Sequence, residues 1–563
     1  LVKLNAGVCY FQSGNSDEAK KQFKIAKSLK NDFNINKNLA LLELQRDNLE
    51  KFIKYANRAI SIHFDSLLAN LLAEKYELVG QYHDAIGLYQ SILRVDPTNV
   101  NCYNNLGNLY LLMISQMDNF DSCVDSTYGK SLDLCVKLKE ERKKELVISN
   151  IIFNNLYNWK LSEEEIFKRS CSWSDYFPRD ANLQGIVDKL NRNKSSGNKI
   201  RIGYISCDFM THPVGFMFDS ILKNHDTNKF EIFCYDCASL QKTDNDPTSK
   251  KLRDYKNATW LRVEDKSDAQ VLEQMVSDNL DILVDMMGHT RNTRMNILSY
   301  KPARIQISYF AYPSTNGIKS MDYKFTDKYA TPDFTQKYFV EKLYCLPNGF
   351  QCYTPPQEIE AVKNYNRGKY KIHLCCFNNP IKLSIPTVET FVEILNKLPE
   401  AKLFLRYCYY KSSYYKETIM KLFTDRGINR ERVDIGFEPL VESLKMYNQM
   451  DIALDPFPYN GGTISSESIY MNTPLITLEG TNYVSRVGVS LLSNLGLEKY
   501  IAKTREEYVQ KVIDLARSEP ELKLLHQVLR LKMLQSDLAD SVSFTKNVEK
   551  AYQDMVDKFN TKK

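Results

Sequence analysis

The chain has 563 residues, too many for a single core, so about three or four domains are expected. With 43% hydrophobic and 26% charged residues the composition is that of a globular protein, and no apolar run approaches the about 18 to 20 residues of a membrane span. Seventy-five basic against 69 acidic residues leave a net charge of +6 without long basic runs, which gives nucleic-acid binding no electrostatic support. The thirteen cysteines, an odd number without metal-ligand spacing, suit a reducing compartment, and the adjacent Cys375 and Cys376 sit in an apolar run where strand packing is the expected role. The chain starts at Leu1 in a helical pattern rather than at a Met, which leaves targeting open.

A 34-residue period governs the front of the chain and matches the tetratricopeptide pattern, in which small and aromatic residues let paired helices pack closely. Gly7, Tyr10, Gly14, Ala19, Phe23 and Ala26 form one copy; Leu72, Ala73, Tyr76, Gly80, Tyr82, Ala85, Tyr89 and Pro97 form a clearer one. Leu106, Gly107 and Tyr110 repeat Leu72, Ala73 and Tyr76 one period later, so two and a half units are visible. The segment from about 35 to 68 stays helical in period but loses most signature positions, and the last unit decays after Met113. Stacked helix pairs give a concave surface suited to a peptide; the alternative is that they scaffold or dimerise the protein. Asn5 and Asn105 are placed to offer side-chain amides to a peptide backbone, whereas Leu71 stands at that place in the third unit.

After a charged helical stretch (about 130 to 192), Lys194-Ser195-Ser196-Gly197-Asn198 reads as a linker, and the pattern changes to short apolar runs alternating with helices. Ile200 to Ile205, Phe230 to Tyr235, Ile282 to Met286 and Ile305 to Phe310 are the strands of a first parallel lobe. A second series runs through Ile372 to Phe377, Leu403 to Leu405, Val433 to Ile435, Ile452 to Leu454 and Leu475 to Thr477. Ligands of open α/β sheets sit beyond the carboxyl ends of the strands, so two facing lobes define a cleft. The helices from about Arg505 to Phe559 carry no recognisable chemistry.

The segment Asp455 to Met471 is the most informative: a strand end, the Gly461-Gly462 turn, hydroxyls at Thr463, Ser465 and Ser466, then a helix. Free amides and the helix dipole there favour a pyrophosphate, and Glu467, read as lying in the first turn, is placed for a ribose diol. The bland alternative is that Thr463 caps the helix and Glu467 favours its dipole. Neither Gly-Lys-Ser/Thr nor G-x-G-x-x-G is present, which counts against kinase, GTPase and dehydrogenase chemistry. Lys382, after Phe377-Asn378-Asn379, offers a compact charge for a diphosphate or is an ordinary surface lysine. His212, in the loop Cys207 to Pro213, is a base or hydrogen-bond donor candidate. The loop Ala311 to Gly317, with Tyr312, Pro313 and Thr315, is placed to shape the sugar or acceptor side of the cleft. Asp244-Asn245-Asp246, the only tempting Asp-x-Asp metal motif, reads as a surface loop.

Four ordered blocks, Arg201 to Ser206 with Thr211 to Pro213, Tyr312 to Gly317, Phe377 to Lys382 and Asp455 to Met471, make the chain resemble the O-GlcNAc transferase and SPINDLY family. The resemblance covers essentially the whole chain and implies tetratricopeptide repeats ahead of a two-lobed (GT-B) transferase. It implies that Lys382 contacts the donor diphosphate, Asn379 lies near the nucleotide, the Thr463 to Ser466 turn cradles phosphate and Glu467 takes the ribose. It gives His212 the catalytic-histidine position, as base or as an organiser of acceptor and phosphate. The implied reaction is inverting and metal-independent, needs no cofactor beyond the nucleotide sugar, and modifies Ser or Thr of protein acceptors in the cytoplasm or nucleus.

Glu467 to Met471 and Val487 to Leu492 look like the SPINDLY branch, for which GDP-fucose is the implied donor, against UDP-GlcNAc for the other. Ser443 stands where the family commonly has a histidine stacking near the base, and Gly462 where the animal-type enzyme has one. The expected architecture is therefore α plus α/β, with repeats over 1–130, a helical linker over 131–198, and Rossmann-like lobes over 199–360 and 361–563. Homo-oligomers through the repeats are a further expectation. The rival readings are a catalytically silent scaffold and a transferase acting on asparagine or a small glycan.

Overall fold

The computed structural model describes residues 2–114, 120–190, 198–355, 358–364 and 368–561. The expected linker at Lys194 to Gly197 lies outside them. Two compact bodies result: one holds the residues up to 140 together with Cys408–Lys421, the other the remainder from Glu141 onward.

The first body is made of helix pairs α1 (Val2–Gln12) with α2 (Ser16–Leu29), α3 (Phe33–Gln45) with α4 (Leu49–Ile62), α5 (Ser66–Leu78) with α6 (Tyr82–Val95), and α7 (Val100–Ile114) with α8 (Phe120–Leu138). Asn15, Asp32, Asn48 and Asp65 each cap the helix that follows by accepting its backbone N–H. The stretch 35–68, which had lost the signature, is thus a complete pair. Its Leu39, Ala40, Phe52, Ala56 and Ala59 are fully buried, so the small and large residues that let helices approach are present in other combinations. Four pairs replace the expected two and a half. Glycine and aromatic pack as the pattern predicts: a Cβ on Gly7 would stand 2.5 Å from the Phe23 ring, and one on Gly107 2.8 Å from Tyr128. The Asn105 amide donates to the Tyr89 hydroxyl at 3.1 Å, so it is engaged within the repeats.

The segment Cys408–Lys421 belongs to this body although its sequence neighbours form the second lobe. Tyr409 and Tyr415 meet the Tyr82 ring edge to face, the Tyr415 hydroxyl donates to the Leu112 carbonyl, and Tyr414 stacks on His83.

The second body contains two parallel sheets. The first has β1 (Ile200–Ser206), β2 (Phe230–Asp236), β3 (Ala258–Arg262), β4 (Ile282–Asp285), β5 (Ile305–Ser308), β6 (Tyr323–Thr326) and β7 (Lys342–Cys345) in the order 3-2-1-4-5-6-7. The second has β8 (Ile372–Cys376), β9 (Ala401–Arg406), β10 (Val433–Gly436), β11 (Ile452–Leu454), β12 (Leu475–Leu478) and β13 (Ile501–Ala502) in the order 10-9-8-11-12-13. Every predicted strand is present. Four were not predicted: β3 and β7 are edge strands with mostly half-exposed or exposed faces, β13 is an edge strand of two residues, and β6 is a mostly buried four-residue strand next to the edge. Cys375 and Cys376 are buried in β8 as expected of strand residues.

Two boundaries differ from the expected ones. Helix Glu141–Asn154 and those after it, read as a linker, pack into the two-lobed body: Glu145 accepts the Asn296 N–H at 2.7 Å, and Trp173 is fully buried. The last helix, Ser541–Thr561, returns to the first lobe, where Phe544, Val548, Tyr552 and Met555 share a core with Ile202, Tyr204 and Phe325. The tempting Asp-x-Asp loop is a capping site: Asp246 accepts from the Ser249 and Thr211 amides. Among the described residues no helix is long and apolar enough to cross a membrane.

Gly317 ties the helical segment to the first lobe. Its φ of +69° is in the left-handed region, and a Cβ there would lie 2.1 Å from the Ser170 carbonyl oxygen. Gly317→Ala is expected to destabilise the protein by about 2 kcal/mol or more, combining backbone strain with a backbone clash. Thermal denaturation reads this directly, and an unchanged melting temperature would show that the contact does not hold the loop.

Candidate functional site

The carboxyl ends of six strands, β1, β2, β4, β8, β9 and β11, together with the loop after β5, open onto one cavity of about 550 Å³ with both lobes in its wall. From the first lobe come His212 and Asp208 after β1, Arg291 after β4 and Pro313 after β5; from the second come Asn379 and Lys382 after β8, Tyr407 after β9, and Gly462 and Thr463 after β11. Lys242, Arg291 and Lys382 face a single carboxylate, Asp208, among the charged groups of the wall, so the cavity favours an anion.

The second lobe builds the anion-binding half. Asp455, fully buried at the end of β11, accepts the Gly461 N–H at 2.7 Å, the Ser465 hydroxyl at 3.2 Å and the Thr477 hydroxyl at 2.7 Å. This closes the turn and starts helix Thr463–Tyr470, with Gly462 at its N-cap. Within that first turn the Ser465 and Ser466 amides donate to the Gly462 carbonyl. The Thr463 and Ile464 amides have no acceptor among the described residues, and both residues border the cavity. Lys382 Nζ donates to the Asn460 carbonyl at 2.7 Å and sits 4.1 Å from the centroid of the Tyr459 ring. Burial pulls its pKa down, opposed chiefly by the attraction of Asp455. Asn379 accepts the Ile381 N–H and so sets the turn that aims Lys382.

In the first lobe His212 is the N-cap of helix Pro213–Leu222, and its Nδ1 accepts the Val214 N–H at 3.3 Å, with Asp208 Oδ2 3.8 Å away. With Nδ1 accepting, the neutral ring carries its proton on Nε2 and is a hydrogen-bond donor at that nitrogen.

Six expected site residues do not reach this cavity wall. Gly461 and Ser465 are turned inward onto Asp455. Tyr312 is buried against His289 and Phe153, and the Thr315 hydroxyl donates to Glu341 at 2.6 Å; both belong to the layer behind Pro313. That layer is a buried network in which Asn316 donates to Asp285 and Glu341, and Lys324 Nζ donates to the Tyr312 carbonyl at 2.9 Å. Glu467 is the fifth residue of its helix rather than a first-turn residue, is 6% exposed and does not border the cavity. Ser466 borders a small adjoining cavity with Thr463 and Pro213. Conversely, Lys242, Arg291, Tyr407 and Phe153 were not singled out from sequence. Tyr407 obeys the strand-end rule that picks Lys382, whereas Phe153 comes from a helix read as linker.

Burial alone pushes the Glu467 carboxyl from 4.5 up to about 8. The folded chain therefore holds a proton that the unfolded chain releases above about pH 4.5. The stability this group contributes is complete below that pH and is lost as pH rises through about 8. Glu467→Gln, neutral throughout, is expected to match the parent near pH 4.5 and to melt roughly 2 °C or more above it beyond pH 8. A pH-independent difference in melting temperature would contradict the assignment.

The model of glycosyl transferase family 41 matches residues 187–354 and 354–548, and a tetratricopeptide repeat model matches 88–123. Petunia hybrida "Probable UDP-N-acetylglucosamine--peptide N-acetylglucosaminyltransferase SPINDLY" is 30% identical over 404 residues, 70% of this chain and 42% of that one. The Arabidopsis thaliana protein of the same name is 31% identical over 405 residues (70% and 43%), and Arabidopsis "SEC" is 28% identical over 374 (63% and 37%). The chain thus spans about two fifths of the length of the curated relatives it matches. Among solved structures, a mutant Thermobaculum terrenum O-GlcNAc transferase superposes with a TM-score of 0.80 at 24% identity, over 94% of this chain and 98% of that one, which establishes the fold. Helical repeats, two parallel lobes and a family match over most of the two-lobed body together place the chain in glycosyl transferase family 41.

Proposed function

We propose that this chain is an inverting protein O-glycosyltransferase that moves a sugar, GlcNAc from UDP-GlcNAc or fucose from GDP-fucose, to Ser or Thr hydroxyls. The observation that carries the reading is the anion site in the shared cavity: Lys382 Nζ and the unbonded Thr463 and Ile464 amides on one lobe, with His212 in the wall from the other. The names of the relatives, peptide N-acetylglucosaminyltransferases, supply the acceptor class.

In this reaction the acceptor oxygen forms a bond to the anomeric carbon while the bond to the diphosphate oxygen breaks, and the electron pair leaves on the nucleotide diphosphate. Lys382 and the helix terminus stabilise that charge as it develops, in a site where burial makes each interaction stronger than in water. The reaction calls on no metal, because these groups supply the positive charge. His212 acts as a donor that orients acceptor or phosphate, since its Nδ1 is occupied by Val214. The acceptor proton then passes to a water or a donor phosphate oxygen. The repeats recruit the acceptor segments.

Lys382→Ala is expected to cut sugar transfer at least about 100-fold with the melting temperature kept, read by mass-detected transfer to a Ser/Thr-rich protein. Retained turnover would remove Lys382 from the reaction. A competition between UDP-GlcNAc and GDP-fucose on the parent chain decides the donor. Donor binding without transfer would make the chain a scaffold, and sugar on asparagine would overturn the acceptor assignment.

A further inference from the structure

An inverting displacement fixes where the acceptor stands, because the attacking oxygen approaches the face of the sugar opposite the bond that breaks. The groups placed for the departing diphosphate, Lys382 and the Thr463 and Ile464 amides, all belong to the second lobe. The opposite side of the cavity is the first-lobe wall with His212, so the charge of that wall acts on the acceptor segment.

That wall carries two cations, Lys242 in helix Leu240–Thr243 and Arg291 in the loop after β4, against the single carboxylate of Asp208. Asp208 is half-buried beside His212, with Oδ2 3.8 Å from Nδ1. Lys242 and Arg291 are both exposed, and among the described residues neither side chain makes an ion pair or a hydrogen bond. The neighbouring arginines are engaged inside the lobe: Arg294 with Asp268 and the Val263 carbonyl, Arg253 with Asp236. The backbone beneath Arg291 is held from two directions. The Cys207 thiol donates to the Arg291 carbonyl at 3.0 Å, and Arg142 donates to the Asn292 carbonyl at 3.3 Å. A guanidinium that starts from a fixed point on a cavity wall suits a carboxylate, which it meets through two parallel N–H donors.

We propose that Arg291 and Lys242 form a subsite for acidic acceptor segments, so that a hydroxyl flanked by Asp or Glu is modified in preference to one in neutral or basic surroundings. The inference rests on the transferase reading above and names the chemistry of its acceptor. Arg291 takes a carboxylate by its planar fork, and Lys242 adds a compact point charge beside it. The subsite does not choose between the two donors, since its charges face the other substrate.

The test is transfer by the full chain, with the donor it uses, to three synthetic peptides that carry one Ser flanked at the same positions by Glu, Gln or Lys. The parental kcat/KM should fall in the order Glu, Gln, Lys, with roughly three-fold or more between Glu and Gln at low salt and a smaller gap at high salt. Arg291→Gln combined with Lys242→Gln should bring the three peptides level, and an unaltered donor KM in that variant shows that the cavity is intact. Arg291→Glu combined with Lys242→Glu should reverse the order. A level parental series, or an equal loss on all three peptides in the variants, overturns the subsite and leaves the transferase reading standing. A raised donor KM with the peptide order kept gives the two cations to the donor and overturns it as well. If no sugar reaches any peptide or a Ser/Thr-rich protein, the transferase reading fails and the subsite fails with it.

Discussion

The buried carboxylate of Asp455 is the constraint on which the site depends. A charge with essentially no exposure must be met by donors from every side, and here a backbone amide, two hydroxyls and the nearby Lys382 meet it. Those partners dictate the surrounding sequence. A Cβ on Gly461 would press on the Ser465 hydroxyl at 2.2 Å, and one on Gly488 would stand 2.4 Å from Asp455 itself. Once the turn is closed around Asp455, the helix after it has nowhere to begin except at Gly462, and its first amides face the cavity. The anion site is therefore a by-product of satisfying one buried charge.

This explains why the block from Asp455 to Met471 was legible and yet partly misread. Strand, glycine turn and hydroxyl-rich helix start signal a phosphate cradle, and Gly462 and Thr463 do reach the cavity. Sequence cannot say which hydroxyls face a ligand and which face a carboxylate, so Ser465 was placed with its neighbours. The helix begins at Thr463, so Glu467 falls one residue beyond the first turn, is 6% exposed and does not border the cavity. The lobes themselves were read well because their central strands are continuous apolar runs. The degraded second repeat was missed because close packing demands small and large volumes in complementary places, not particular residue types, as Leu39, Phe52 and Ala56 show.

The first lobe shows a different limit. Pro313 reaches the cavity because Tyr312, Thr315 and Asn316 behind it are held by Lys324, Glu341 and Asp285. Those three charges come from strands or strand ends far apart in the chain, and no local pattern links them. His289 joins them as a neutral ring, its pKa pulled down to about 4 by burial, with Nε2 bonded to the Asn316 carbonyl. His289 is thus a structural member of this network, whereas His212, the histidine weighed for proton chemistry, is a helix cap that also borders the cavity.

Lys382 and Glu467 both lie where burial opposes their charged forms, one pulled down and the other pushed up. A lobe selected for stability alone would hold apolar groups at such positions, since replacing buried charges with well-packed hydrophobic residues is often neutral or stabilising. For Lys382 the compensation is incomplete within the protein: one carbonyl and one ring face an ammonium that can donate three hydrogen bonds. An anion beside the Thr463 and Ile464 amides would complete it, which is the place the proposed reaction gives to the donor diphosphate. Under the proposed reaction such an interaction would strengthen as the leaving group gains charge, which is the condition for lowering a barrier and not merely filling a pocket.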